Sequence, residues 1–424
     1  MWLPLALTLA MGWVAQARAQ TATEAWASAQ PVVGQGAKLN LEEVLRSAVN
    51  TYPSIAAQRG QKRVAEADHE TSKWGRFPTF SAEASRNDYG NNQSVARVQQ
   101  PLWTGGKISS QIDNTEAGIQ AAEAAIGETE QTVLIDSAVA FAEMLRAGER
   151  LKAAHENVAE LERLHALISR RASTELSPQS DVTLATARLQ TALAERLQFE
   201  NLYLQSRATL EQMSGLRVGA VAMPSRPLPL FASTAEAVQQ AIAFSPELAR
   251  LQAQLAQANA QIGVASSVLW PSVGLAHQQN LGDVTIGQPR NQTYVTVQFQ
   301  PGAGLSARST ITAANERKQT LQDNTEAARR KLARQIEADW TEAHSLSRQL
   351  EPSRALVEST RGVMASYIRQ YTAGRKNWQD VMNAQRELAQ ALYALADTEA
   401  FRLRAILRLE IYTGRLTARS LNAS

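Results

Sequence analysis

The 424 residues are 44% hydrophobic and carry a formal net charge of +3, with basic and acidic residues interspersed along the chain. That pattern lacks the clustered basic face of a nucleic-acid binder. The absence of cysteine excludes disulfides, thiolate catalysis, Cys-ligated zinc and a lipid anchor on an amino-terminal cysteine.

Residues 1–19 read as a secretory signal peptide. Leu3 to Val14 is mostly apolar, and Ala17-Arg18-Ala19 is a small-x-small cleavage site before Gln20. The mature chain is therefore expected beyond the inner membrane of a bacterium, starting with a flexible segment over 20–37. No later stretch has about 18 consecutive apolar residues, so a membrane crossing would have to be a β-barrel.

A first structural repeat is expected over 38–216. A short helix runs from about Leu41 to Asn50, and Pro53 opens a second that reaches about Trp74. From Phe77 onward polar Thr79, Ser81, Glu83 and Ser85 alternate with Phe80, Ala82 and Ala84, which is strand periodicity. Gly90-Asn91-Asn92 turns the chain into a second strand ending near Leu102, giving a hairpin over about 77–102. A helix follows over about 105–171, unbroken by proline and about 100 Å long. Leu151, Ala154, Val158, Leu161, His165 and Ile168 step along it by three and four, a coiled-coil seam. A polar tip at 172–181, turned at Pro178, leads to a helix over 178–213.

A proline-rich connector at 217–232 then precedes a second repeat over 233–416, because the pattern recurs. Pro53 pairs with Pro246 and Pro78 with Pro271, each 193 residues apart. After a longer second hairpin (about 271–301) the offset becomes 199: Val98 with Val297, Gly105 with Gly304, Asp181 with Asp380. The second long helix is expected over about 305–373, kinked or split at Pro352. A tip at 374–380, turned at Gly374, a helix at 377–412 and a tail at 417–424 complete the chain. In each half, two shorter helices end to end match the length of one long partner.

Catalytic patterns are missing. The five histidines are scattered, Gly105-Gly106-Lys107 lacks the preceding glycine of a phosphate loop, and no Gly-x-Ser-x-Gly elbow occurs. No enzyme activity and no cofactor or metal are expected. The hairpins supply four strands of about 9–11 residues, long enough to cross a membrane but too few to close a barrel, which takes about eight. Either the chain oligomerises to close one, or it is a coiled-coil spacer or adhesin with two small β-caps.

The twofold repeat, the strand-to-helix transition Gln100-Pro101-Leu102-Trp103-Thr104-Gly105-Gly106-Lys107 and the tip Tyr371…Gly374…Asp380-Val381 resemble the TolC family of outer-membrane efflux proteins. The resemblance covers roughly 38–416. It implies a mainly α, α+β fold: a helical coiled-coil tunnel in the periplasm joined to a transmembrane β-barrel, 12-stranded in a homotrimer. It implies a passive exit duct in the Gram-negative outer membrane for tripartite efflux or type I secretion. Its partners would be outer-membrane lipid, a periplasmic adaptor and an inner-membrane pump of resistance-nodulation-division, major facilitator or ABC type. By the same resemblance Asp380 rings the channel constriction, where three like charges favour cations. Asn383 stands where the family has a second acid. Tyr371 and Lys376 would hold the gate shut against Asp181, with Lys in place of a bidentate Arg. Glu175 stands where the family often has Gly, and the second transition reads Pro301-Gly302-Ala303-Gly304-Leu305.

Overall fold

The computed structural model describes residues 38–86, 92–224, 230–282, 289–304 and 306–423. The expected signal peptide, the 20–37 segment, Gly90-Asn91 of the first hairpin turn, Pro227, Pro229 and Leu305 lie outside them.

The chain opens with β1 (Lys38–Leu39), then α1 (Leu41–Thr51) and α2 (Pro53–Trp74). Asn40 caps α1 through a reciprocal capping box: its Oδ1 accepts from the Glu43 amide and Glu43 Oε2 accepts from the Asn40 amide. Strands β2 (Thr79–Arg86) and β3 (Asn92–Trp103) form the first hairpin, and the 67-residue helix α3 (Lys107–Ser173) and α4 (Gln179–Ser214) follow. After β4 (Ala220–Val221), which pairs in parallel with β1, the order recurs. It runs α5 (Thr234–Phe244), α6 (Pro246–Ser266), β5 (Ser272–Gly282), β6 (Asn291–Gln298), the 67-residue α7 (Ser306–Thr372) and α8 (Trp378–Tyr412).

Two expectations are corrected. Helix α7 is not split at Pro352, which lies inside it. The residue is exposed, so the Arg348 carbonyl that loses its intrahelical donor lies on the solvent side, where water can satisfy it. The carboxyl end is not a free tail. Ala418–Ala423 form a helix, α9, whose Leu421 is buried and whose Leu421 carbonyl accepts from Arg46 Nε at 2.7 Å.

The long helices form an array, not a ball. In the half near the hairpins, neighbours run α2, α3, α6, α7; in the half near the tips, α4, α3, α8, α7. Short helices thus stack end to end beside α3 and α7, as the matched lengths require. The inner helices α3 and α8 bury the most, and the outer helices α2 and α4 the least. Ile55 is the one buried residue of α2, whereas α8 buries Val381, Met382, Leu403, Ile406, Leu407 and Leu409 among others. One core joins α1 to the middle of α3, where Phe141 and Met144 are fully buried. Phe141→Ala there costs about 3–5 kcal/mol. A second seats α5 and the preceding Phe231 on α7 and α8 through Ala237, Ala241, Ile336 and Ile406, and a third fills the tip region.

The four long strands make one antiparallel sheet in the order β2-β3-β5-β6. Its register sorts the side chains, because partners directly opposite share a face. Phe80, Val98, Leu275, Leu281, Val295 and Val297 fall on one face and are exposed. The same face also carries Ser94, Gln100, Gln279, His277 and Thr293, the last two meeting at 2.8 Å. The opposite face carries Thr79, Ser81, Glu83, Arg97, Gln99, Gln278 and Tyr294, with Gln278 Oε1 accepting from both Arg97 and Tyr294. One apolar and one polar face is the pattern of a barrel wall between lipid and an aqueous lumen.

Where β3 passes into α3, Gly105 has φ +61°, and a Cβ there would stand 2.6 Å from the Cβ of Trp270. Only glycine fits that left-handed, crowded turn. Gly106 follows with φ +86° as the N-cap of α3, and Gly304 repeats the conformation at +58° before α7. Pro101 pairs with Gly274 at an irregularity that ends the regular register of β3 with β5. Trp103 and Trp270 meet edge to face at 6.2 Å at this junction.

Candidate functional site

The two helix tips lie together at the end of the array away from the sheet. Helix α7 ends at Thr372, and Gly374 takes φ +72° to turn the chain. Asn377 then caps α8, its Oδ1 accepting from the Asp380 amide at 2.8 Å. Asp380 is therefore a first-turn acid, where the helix dipole favours it, and Asn383 lies three residues on along the same face. Both are partly exposed, while Trp378, Val381 and Met382 on the other side of α8 are buried.

Tyr371 is buried at the last turn of α7. Its hydroxyl lies 3.0 Å from Ser177 Oγ of the other tip, and its ring packs 5.1 Å from the Trp378 ring. The Arg171 guanidinium covers the same ring at 5.0 Å. Lys376 Nζ sits 4.5 Å from the centre of the Tyr367 ring and 3.5 Å from Asp380 Oδ2.

The expected clasp of Tyr371 and Lys376 onto Asp181 therefore takes a different form within the chain. Asp181 sits in the first turn of α4, its amide bonded to the Pro178 carbonyl. Ser177, one residue before the Pro178 cap and nearer the turn, reaches Tyr371 first. Lys376 precedes Asp380 by four residues across the cap, so the pair closes on itself. Arg171 is the tip residue that sequence reasoning missed. Its signal was the basic last turn of α3, Arg170-Arg171, facing an aromatic at the matching end of α7.

Among the described residues no group of three or more His, Asp or Glu side chains is placed to hold a metal ion. The site offers fixed charge, an aromatic stack and a hydrogen bond between the two tips.

The model of the outer membrane efflux protein family matches residues 44–216 and 237–415, one segment in each half of the chain. The chain belongs to this family. It is an outer-membrane efflux duct of the tripartite type, seated in the Gram-negative outer membrane with its helices forming a tunnel in the periplasm. It is 23% identical over 402 residues to outer membrane protein TolC of Vibrio cholerae, covering 89% of this chain and 91% of that one. Its fold is similar to that of a membrane protein from Pseudomonas aeruginosa, with a TM-score of 0.78 at 18% identity over 88% of this chain and 90% of that one. It is also similar to the Campylobacter jejuni CmeC outer membrane channel, with a TM-score of 0.77 at 15% identity over 88% and 85%. Family members are trimeric and work with adaptor proteins and inner-membrane pumps. Membership in the family does not favour the spacer or adhesin reading.

Proposed function

We propose that three copies of this chain close one duct and that the Asp380 ends of the three α8 helices form its gate. The observation that carries this reading is the pair of unfinished edges. The sheet ends on β2 at one side and β6 at the other, and the helical array ends on α2 and α4 at one side and α7 at the other. Open strand edges must be paired in lipid. On the helices, Leu197 and Leu204 of α4 and Leu356 and Val363 of α7 are exposed apolar residues on those same outer helices. Joining β6 to β2 and α7 to α2 and α4 of successive copies satisfies both kinds of edge with one rotation, a closed heterologous ring. Three copies give 12 strands, within the range of outer-membrane barrels.

In that ring the polar face of the sheet lines the lumen and Asp380 and Asn383 of each copy face the axis. Lys376 lies beside each Asp380, so the acidic ring is partly neutralised. Tyr371, Ser177 and Arg171 hold the second tip against the first, Lys376 braces the second tip through Tyr367 and Asp380, and Asp181 lies on the first. The tips dock a periplasmic adaptor, and the pump behind it drives transport, in keeping with a sequence that carries no phosphate-loop pattern.

Single-channel recording of Tyr371→Phe and Lys376→Ala in planar bilayers tests the gate. Loss of the Ser177 bond and of the Lys376 contacts raises the fraction of time spent open. Unchanged opening in both variants would refute the clasp.

A further inference from the structure

Above the tips, the seam between α3 and α8 carries a buried polar contact with space on both sides. Gln385 Nε2 donates to Asn157 Oδ1 at 2.9 Å, and both side chains are buried. The other atom of that amide, Gln385 Oε1, is buried and has no hydrogen-bond partner. A cavity of about 480 Å³ lies on the α4 side, walled by Arg188 and Glu195 and reaching Asn157 and Gln385. A second, of about 320 Å³, lies on the α7 side against Met364 and shares Asn157, Gln385 and Ala389 with the first. Protein interiors normally pack to the density of organic crystals. Here open grooves run along α8 on two flanks at the level where its contact with α3 is polar.

The sections above and below are held differently. Above, Asp397 takes Arg146 and Arg150, Arg404 takes Glu342, and Arg408 takes Asp339, so α8 is clamped to both α3 and α7. Below, Trp378, Val381 and Met382 are seated in the tip core, where the Trp378 indole N–H is also buried without an acceptor.

We propose that the Asn157–Gln385 contact is an upper latch of the gate. It parts when the section of α8 from Trp378 to Leu392 swings into the larger cavity, while the ion-paired section above stays in place. The inference rests on the reading of the tips as a gate. Half-satisfied buried polar groups weaken the packing that contains them. Parting the pair exposes both amides to the polar wall of the cavity, so the lost bond is replaced. The groove gives the upper part of the section room, while Trp378, Val381 and Met382 shift within the tip core. Two discrete arrangements of one helix section, not a continuous bend, are what packed cores permit.

The test records the full chain, purified as its assembly, in planar bilayers. Asn157→Leu combined with Gln385→Leu removes the unpartnered oxygen and leaves an apolar seam. Open events become about tenfold rarer at unchanged open-state conductance, the size of effect that relieving one buried unsatisfied polar atom supplies to the closed seam. Gln385→Glu buries a carboxylate in the seam and makes open events about tenfold more frequent. Should the double variant fail to assemble, Ala389→Leu fills the shared wall and also makes openings rarer. Variants that assemble and open as often as the parent overturn the latch; if Asp380→Asn still alters ion preference, the gate at the tips stands without it. If Asp380→Asn is silent as well, both readings fall. If the seam variants act while Asp380→Asn is silent, the latch stands and the constriction lies elsewhere than at Asp380.

Discussion

Glu175 and Gly374 hold the same left-handed backbone position in the two tips, with φ of +59° and +72°. The hydrogen bonds around them match. Glu175 donates to the Ala172 carbonyl and Leu176 to that of Arg171, at 3.0 and 2.9 Å; Gly374 donates to Tyr371 and Arg375 to Gln370, at 3.0 and 2.8 Å. These are two copies of one helix stop. The first is built with a residue whose Cβ opposes the conformation, at a cost of about 1–2 kcal/mol. Glu175→Gly therefore slows exchange of the Leu176 amide about fivefold or more, and Gly374→Ala speeds that of Arg375 by a similar factor. Equal exchange in parent and variants would show that the turn stores no strain.

The Lys376–Asp380 pair makes a prediction about ion preference. Both side chains are about one-third exposed, so the pair contributes little to stability. In the proposed ring its effect on the lumen is larger, because each lysine offsets one carboxylate. Lys376→Ala raises cation preference, Asn383→Asp raises it by adding a second ring, and Asp380→Asn lowers it. Reversal potentials across a salt gradient report all three. A parent channel that is already strongly cation-selective would contradict the offset.

The register of the sheet separates two kinds of arginine substitution. Val295→Arg places a charge on the apolar face and costs about 2–4 kcal/mol near the bilayer midplane. Gln99→Arg, on the polar face, leaves assembly intact. The yield of heat-stable assembly in outer-membrane fractions distinguishes them. Equal yields would mean that the faces are assigned the wrong way round or that the sheet does not meet lipid.

Asp339 gives a pH dependence. Its carboxyl is held above the usual carboxylate range, chiefly by burial, against the pull of Arg408 at 3.0 Å and the Gln335 amide. A raised folded-state value means that the folded chain takes up the proton before the unfolded one. The burial penalty is relieved as pH falls through the folded-state value, and the relief is complete below the unfolded value. Stability of the parent relative to Asp339→Asn therefore rises on acidification from neutral pH. Asp136, raised by burial as well, adds a part that the variant retains. Chemical denaturation of both chains at several pH values measures the difference; a parent that loses ground to the variant on acidification would reverse the sign.

Much of this architecture is legible in the sequence because its punctuation is chemical. Pro53 and Pro246 open helices, Asn377 caps one, and Gly105, Gly304 and Gly374 sit where left-handed backbone is required. Strand alternation marked β2, whose register is fixed by one polar and one apolar face. What sequence could not supply was side-chain reach across the tips. Spacing put Asp181, Tyr371 and Lys376 in one region, but whether Tyr371 meets Asp181 or Ser177 depends on a shift of one helical turn. Arg171 was hidden in an ordinary basic last turn, and Pro352 read as a break because its exposure was unknown. The Asn157–Gln385 pair, 228 residues apart in sequence, has no local pattern at all.

The account stands or falls on whether this chain makes a gated pore. Purified protein is titrated into planar bilayers, alone and with Tyr371→Phe combined with Lys376→Ala. The account predicts discrete conductance steps from a trimeric fraction and none from monomer, with longer openings in the double variant. A folded monomer, or a trimer that gives no conductance in either form, would contradict it.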